Sequence, residues 1–182
     1  RKKEATLAAT DIGSWTHLFL QRLDLTENMD QSTLQNQLRH LTERDIFKSE
    51  QAQAIDLEQI AKLFQHPLGQ QIIAHKNHLH REWPFTLALP VGDIHPDLNE
   101  SDFQEEKILL RGIIDCLFET REGMVIIDYK TDNITNEDSR ERARLYQSPM
   151  RIYNQAVEAI LRKPVITTHL YFLKPAVAVE AG

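Results

Sequence analysis

Apolar residues recur at helical spacing through the first third of the chain and then switch to strand-like alternation. Over residues 11–25, Trp15, Leu18, Phe19 and Leu23 fall on one stripe of a helix that Asp11 can cap. A second helix is expected after Gln31-Ser32, carrying Leu34, Leu38 and Leu41. A third opens at Ser49, with Ala54, Ile55, Leu57, Ile60, Leu63 and Phe64 as its buried stripe. His66-Pro67 ends it, because proline lacks the amide hydrogen that a helix interior needs. A short segment through Ile72 and Ile73 then leads to Glu82. From Trp83 the period changes: Phe85, Leu87 and Leu89 alternate with smaller or polar residues as far as Pro90, which predicts a strand. The acidic stretch 92–106, which contains Pro96, reads as a loop or mobile excursion. Two more strands, 107–119 and 124–130, joined across Thr120-Arg121-Glu122-Gly123, form the clearest hairpin. A charged segment, 136–144, precedes a helix with Ser148 as N-cap, Pro149 as first residue and Leu161 near its end, and 165–173 is the last expected strand. The pattern predicts an α/β fold, with a mixed central sheet flanked by helices. Its N-terminal portion, 1–82, is mostly helical and 83–182 is a sheet-containing core.

Composition narrows the classes. A chain of 182 residues with 41% hydrophobic content buries one ordinary core, so a single domain is expected. No apolar run is long enough to cross a bilayer, and the N-terminal Arg-Lys-Lys-Glu lacks the apolar stretch of a signal peptide, so a cytoplasmic location without membrane contact is expected. The first methionine is Met29, as in a piece excised from a longer polypeptide. Cys116 stands alone, which excludes an internal disulfide and any cysteine-built zinc or iron–sulfur site. A net charge of −6 argues against gripping nucleic acid by bulk electrostatics, unless an acidic cluster is itself neutralised by cations and a neighbouring domain supplies the basic channel.

The hairpin carries the first candidate chemistry. If it turns symmetrically about Arg121-Glu122, Asp115 lies directly across from Asp128. Alternation puts Asp128 and Lys130 on one face of their strand and Ile127 and Tyr129 on the other. Opposed side chains sit roughly 5 Å apart at Cβ, where like charges destabilise a sheet. A divalent cation between the carboxylates offsets that repulsion, and two hard oxygen donors suit Mg²⁺ or Mn²⁺. Lys130 tempers it further, and stands where it could hold or deprotonate a water made acidic by the cation. Spacing alone equally allows an ordinary ion-pair cluster of Asp115, Asp128 and Lys130 at a sheet end.

Gly112-Ile113-Ile114-Asp115, followed by Val125-Ile126-Ile127-Asp128-Tyr129-Lys130-Thr131-Asp132, resembles the core motif of RecB-type nucleases of the PD-(D/E)xK superfamily. Within them it is most similar to the C-terminal nuclease domains of AddA-type (RexA) helicase/nuclease subunits. The resemblance implies a restriction-endonuclease-like core and metal-dependent, exonuclease-type hydrolysis of DNA. Asp115, Asp128 and the Tyr129 backbone carbonyl would bind Mg²⁺ or Mn²⁺, and Lys130 would position or activate the water. Asp11-Ile12-Gly13-Ser14-Trp15-Thr16-His17 resembles the family's Gly-x-x-x-His motif, which makes His17 an added ligand. Arg81-Glu82-Trp83-Pro84-Phe85 resembles its Glu-x-Pro-Phe motif, which puts Glu82 at the active site. Read without it, His17 is one histidine on an apolar helix face, and Glu82 a solvent-facing acid before a strand. The resemblance further implies partners: DNA presented as single-stranded ends, helicase domains of the same polypeptide that alone use ATP, and an AddB-like (RexB) subunit, in bacterial double-strand-break repair by recombination. The lone Cys116 separates the chain from relatives that carry an iron–sulfur cluster.

One position departs from the family pattern. A Gln-x-x-x-Tyr helix usually follows the lysine; here Tyr153 fits the tyrosine, but Pro149 stands at the glutamine position and offers no side-chain hydrogen bond. Gln147 is the substitute expected to reach into the site. Arg140, Arg144 and Arg151, with Gln147, form either a stripe that holds the DNA backbone or a solvated charged face. Tyr153 shares its stripe with Ile152, Ala156, Val157 and Ile160, so packing accounts for much of it. His75, His78 and His80 are spaced for zinc, although no cysteine or carboxylate completes the set. A nuclease-fold module kept for DNA guidance or subunit docking, without catalysis, is the rival reading, and a resolvase or restriction-type nuclease on the same core is a third.

Overall fold

A computed structural model describes residues 8–90 and 107–181; the expected loop 92–106 lies outside them. The helical N-terminal portion follows its apolar pattern, but local caps reset its boundaries. Helix α1 (Ala9–Arg22) starts ahead of Asp11, which sits in its first turn and does not cap it. Asp30 caps α2 (Gln31–Glu43), its Oδ1 accepting from the Thr33 amide at 2.8 Å. The expected third helix is two, α3 (Ser49–Ala54) and α4 (Leu57–Gln65). Asp56 divides them because its carboxylate accepts from the amides of Glu58 and Gln59 and starts a new helix. The buried stripe runs on through the break, with Ile55 and Leu57 both buried. Pro67, which ends α4, opens α5 (Pro67–Ala74) at the position where a missing amide costs nothing. One turn of 3-10 helix, Lys76–His78, then leads into the sheet.

Strands β1 (Leu79–Pro90), β2 (Lys107–Glu119), β3 (Met124–Lys130), β4 (Val165–Phe172) and β5 (Val177–Glu180) lie in that order. All neighbours are antiparallel except β3 and β4, which are parallel. A parallel pair needs a crossover, supplied by α6 (Ser139–Arg144) and α7 (Gln147–Leu161). The expected α/β architecture with a mixed sheet and flanking helices therefore holds, and the β2–β3 hairpin has the expected limits. Three details differ. β1 begins four residues ahead of Trp83. The strand 165–173 is not the last, since the chain turns after Leu173 and adds β5, whose four residues are too few to register as a period. α7 starts at Gln147, so Ser148 is not its N-cap. Pro149 is its third residue; the first amide to bond back is that of Met150, to the Tyr146 carbonyl at 3.0 Å, so the proline interrupts nothing.

Two cores cover the two sheet faces. On one, Cys116, Phe118, Val125, Ile127 and Tyr129 pack against Phe19, Leu34, Ile60, Leu63 and Ile72 of the helical portion. On the other, Leu117, Met124 and Ile126 pack against Ala156 and Val157 of α7. The central strand β3 is buried on both faces, hence its unbroken apolar run. Among the described residues no helix is long and apolar enough to cross a membrane.

Arg81 ties the helical portion to the sheet. Its Nη1 donates to the carbonyls of Leu20 and Leu23 at 3.1 and 2.6 Å, closing the C-terminal end of α1 onto β1. Arg81→Ala is expected to destabilise the chain by about 2 kcal/mol, the cost of leaving such carbonyls unpaired, measured as a lower urea midpoint with unchanged slope.

Candidate active site

The β2–β3 ladder pairs Cys116 with Ile127 and Leu117 with Ile126, the register that a turn centred on Arg121-Glu122 requires. One step further, where Asp115 would face Asp128, the ladder stops. The Tyr129 amide donates instead to the Asp115 carboxylate, at 2.7 Å to Oδ2. Beyond this point β2 pairs with β1 alone.

The β1–β2 ribbon reverses face at the same place. Leu79 and Arg81 turn toward the helical portion, whereas Trp83, Phe85 and Leu87 turn toward α7. Simple alternation would keep all five on one side. The reversal occurs at Glu82, whose φ of +52° is the left-handed region, and whose pairing with Asp115 is missing from the ladder. β2 reverses likewise, with Cys116 and Phe118 toward the helices and Ile114 toward α7. A non-glycine residue held there costs on the order of 1 kcal/mol. The strain brings the Glu82 and Asp115 carboxylates to the same histidine.

That histidine, His17, is placed by a close helix–sheet contact. Gly13 is buried, and a Cβ on it would lie 2.9 Å from Thr131 Oγ1, so glycine lets α1 rest on the residue that follows β3. One turn later on the same helix face, His17 Nδ1 lies 3.3 Å from Asp115 Oδ1 and 3.7 Å from Glu82 Oε1. Burial opposes protonation of the imidazole, but the close carboxylates of Asp115 and Glu82 favour the charged form more strongly and raise its pKa to about 10. Asp128 is 3% exposed. Burial, then the charge of Asp115, pushes its pKa up to about 6, although Lys130 and His17 oppose this.

These residues fit a hard divalent cation. One ligand atom each from His17, Glu82 and Asp115 lie within 4.8 Å of one another, and this is the metal-capable cluster found among the described residues. Beside it, Asp128 Oδ2 is buried without a well-angled hydrogen bond, although Lys130 Nζ lies 2.5 Å away. Carboxylate oxygens with one imidazole suit Mg²⁺ or Mn²⁺ better than a soft metal. Glu82, expected as a catalytic acid of the active site and not as a metal ligand, stands among the potential ligands. The zinc spacing of His75, His78 and His80 produces no such cluster among the described residues. The His75 ring instead stacks on Phe118 at 4.9 Å, with Nδ1 2.9 Å from the Gln71 carbonyl.

Of the other expected residues, Tyr153 lies within reach of the acids' charges. Its ring meets Phe85 edge-on at 5.6 Å, and its hydroxyl is pushed up to about 12 by burial, then by the charges of Asp128, Asp115 and Glu82. Gly112 leaves room for the Phe85 ring, which would lie 2.6 Å from a Cβ there. Gln147 and Arg151 line a different cleft with Ser148, Asn154 and Glu180. Arg144 is exposed at the end of α6, and Arg140 faces Val177–Val179 of β5. The expected basic stripe is divided because the chain breaks between α6 and α7 at Leu145-Tyr146. Three further residues stand beside the site: Asp132, which closes the motif that begins at Val125, and Tyr146 and Arg142, which sequence reasoning does not single out. The Tyr146 ring lies under Lys130 Nζ, 4.1 Å from its centroid, and Asp132 joins the Tyr146 hydroxyl to Arg142. For Tyr146 and Arg142 the only sequence signal is an aromatic residue just ahead of the helix.

The sequence profile of the PD-(D/E)XK nuclease superfamily matches residues 1–181. The chain is also similar to proteins whose names describe the A-type subunit of an ATP-dependent helicase/nuclease. It is 38% identical over 167 residues to that of Moorella thermoacetica, 36% over 174 residues to that of Pelotomaculum thermopropionicum, and 33% over 169 residues to that of Clostridium botulinum. The matches cover 92%, 96% and 93% of this chain but 12%, 14% and 13% of those proteins, so the chain spans about one eighth of their length.

Without metal, Asp128 and His17 both hold protons more tightly folded than unfolded. Each contributes stability at low pH that is lost as pH rises, Asp128 from its ordinary 3.8 to about 6 and His17 from 6.5 to about 10. Thermal midpoints in a chelator should therefore diverge between wild type and Asp128→Asn through the lower window, with the variant more stable at neutral pH. His17→Gln should diverge from wild type through the upper window, as the less stable protein below it. Parallel profiles would refute these assignments.

Proposed function

The chain belongs to the PD-(D/E)xK nuclease superfamily, and from that premise we propose that it hydrolyses phosphodiester bonds of DNA, with Mg²⁺ or Mn²⁺, at Asp115, Asp128 and Lys130. The observation that carries the reading is the convergence of His17, Glu82 and Asp115 within 4.8 Å, beside a buried Asp128 oxygen that lacks a good hydrogen bond. Asp115, Asp128, His17 and the Tyr129 backbone carbonyl would hold the cation, with Glu82 beside them. When bound, a divalent cation acidifies water and stabilises the negative charge gathering on a phosphodiester under attack.

The chain's own groups do the rest. Lys130 Nζ, held against Asp128, orients the attacking water and offers positive charge to the phosphate oxygens. Asp115 is fixed by the Tyr129 amide, so it keeps its place whether or not a cation is present. His17 must lose its proton to act as a ligand, which links metal binding to proton release. The Tyr153 hydroxyl, beside the acids, is placed to donate to the DNA backbone, and Arg144, Arg151 and Gln147 are candidates for contacts farther along the strand.

The helicase/nuclease names of the relatives, and the small share of them that this chain spans, support a role as the nuclease domain of a larger polypeptide. In that role a motor within the polypeptide feeds it single-stranded ends and an AddB-like (RexB) subunit is its partner, in double-strand-break repair by recombination. The single, buried Cys116 supports an active site without an iron–sulfur cluster.

Labelled single-stranded DNA with Mg²⁺ or Mn²⁺ tests the reading. Cleavage should stop on chelation, and Asp128→Ala and Lys130→Ala should each lower the rate by about a thousand-fold. DNA binding without cleavage in the full-length protein with its partner would leave a guidance or docking module instead. Preference for branched substrates would point to a resolvase.

A further inference from the structure

Lys130 has a long, rotatable stem, and a carboxylate on one side alone leaves it several rotamers. A second contact closes the other side. Its Nζ lies 2.5 Å from Asp128 Oδ2 and 4.1 Å from the centre of the Tyr146 ring. The ring is itself held at both ends. Its hydroxyl lies 3.2 and 3.3 Å from the two oxygens of Asp132, and Arg142 Nε donates to Asp132 Oδ1 at 2.6 Å, with Nη2 2.6 Å from the same oxygen in an ion pair. Its backbone closes the joint between α6 and α7, the Tyr146 amide donating to Ala143 and its carbonyl accepting from Met150, each at 3.0 Å. The ring also packs beside buried Ala143, Met150, Leu170 and Phe172.

We propose that Tyr146, braced by Asp132 and Arg142, is a positioning residue that holds the Lys130 side chain in the conformation in which it serves the reaction. A cation over an aromatic face is attracted by the ring's negative centre, and that attraction needs no acceptor atom. The ring can therefore hold Lys130 in place beside Asp128 without competing for the hydrogen bonds that Nζ gives to water and phosphate. Asp132 and Arg142 act one step back, fixing the tilt of the ring. This inference rests on the catalytic part assigned to Lys130 above.

Steady-state cleavage of single-stranded DNA over a range of DNA concentrations, by the full-length protein in Mg²⁺, separates the two claims. Tyr146→Leu, which removes the ring, should lower kcat about ten-fold and leave KM for DNA within about two-fold, the split expected of a contact felt in the reaction and not in binding. Tyr146→Phe keeps the ring face and loses only the hydroxyl's contact with Asp132, so it should recover part of that loss, to the level expected of Arg142→Gln. A second readout needs no activity. In the metal-free protein, acylation of Lys130, measured by mass spectrometry against the exposed Lys48, should rise several-fold in Tyr146→Leu and stay near wild type in Tyr146→Phe. If Tyr146→Leu does not fold, Arg142→Gln carries the test, since its side chain is 41% exposed and should lower kcat several-fold at constant KM. If Lys130→Ala cleaves normally, the reading of Lys130 fails. If Lys130→Ala is inactive while Tyr146→Leu, or Arg142→Gln in its place, keeps wild-type kcat, the positioning role alone is overturned. Equal effects of Phe and Leu, or a change confined to KM, overturn it as well.

Discussion

Two carboxylates forced together inside a sheet are the constraint around which this molecule is arranged. The hairpin register brings Asp115 and Asp128 to the same end of the ribbon, one step beyond the last ladder pair, and the charge of Asp115 adds to the cost of ionising the buried Asp128. The fold answers with positive or proton-donating groups from every direction: the Tyr129 amide on Asp115, Lys130 on Asp128, and His17 arriving from α1. None of these neutralises the cluster fully, because Glu82 adds a third carboxylate. An acidic site that stays under-compensated in the resting protein is poised to gain from a cation. Stability given up there is the counterpart of affinity for the ion.

Backbone geometry spends free energy on the same end. Glu82 sits in the left-handed region without being glycine, the ladder stops at Asp115, and the ribbon turns its faces over. Each is a defect in a regular sheet. Together they point Glu82 and Asp115 at one histidine, which regular alternation would not do.

The parts legible in the sequence are those set by local rules. The hairpin limits and its register follow from a two-residue period and a short turn, but the end of the ladder one step before Asp115 and Asp128 would pair does not. The buried stripe of α3 and α4 is visible, but the break between them is not, since Asp56 capping leaves the apolar spacing intact. β5 escapes because four residues carry too little pattern. His17 and Glu82 come into view only through family resemblance, because no local signal says that residues 17, 82 and 115 will meet. Tyr146 is hidden for a related reason. Its value lies in a joint between two helices that the charged run 136–144 does not reveal, and the conspicuous departure is Pro149, one turn further on, where the family's glutamine is missing. In the folded chain the ring of Tyr146 faces Lys130 from just before that proline.

The contact of Gly13 with Thr131 bears on when the site comes into being. During synthesis α1 emerges first, yet the surface on which it rests does not exist until the chain has been made through residue 131. Between those moments His17 has no carboxylates to face. The hairpin holding Asp115 and Asp128 closes over a short loop and can form quickly, whereas docking of α1 must wait for a contact more than a hundred residues away in sequence. On these loop lengths His17 is expected to join the acids late in folding, and the ion binding proposed above would wait until the helical portion and the sheet have met.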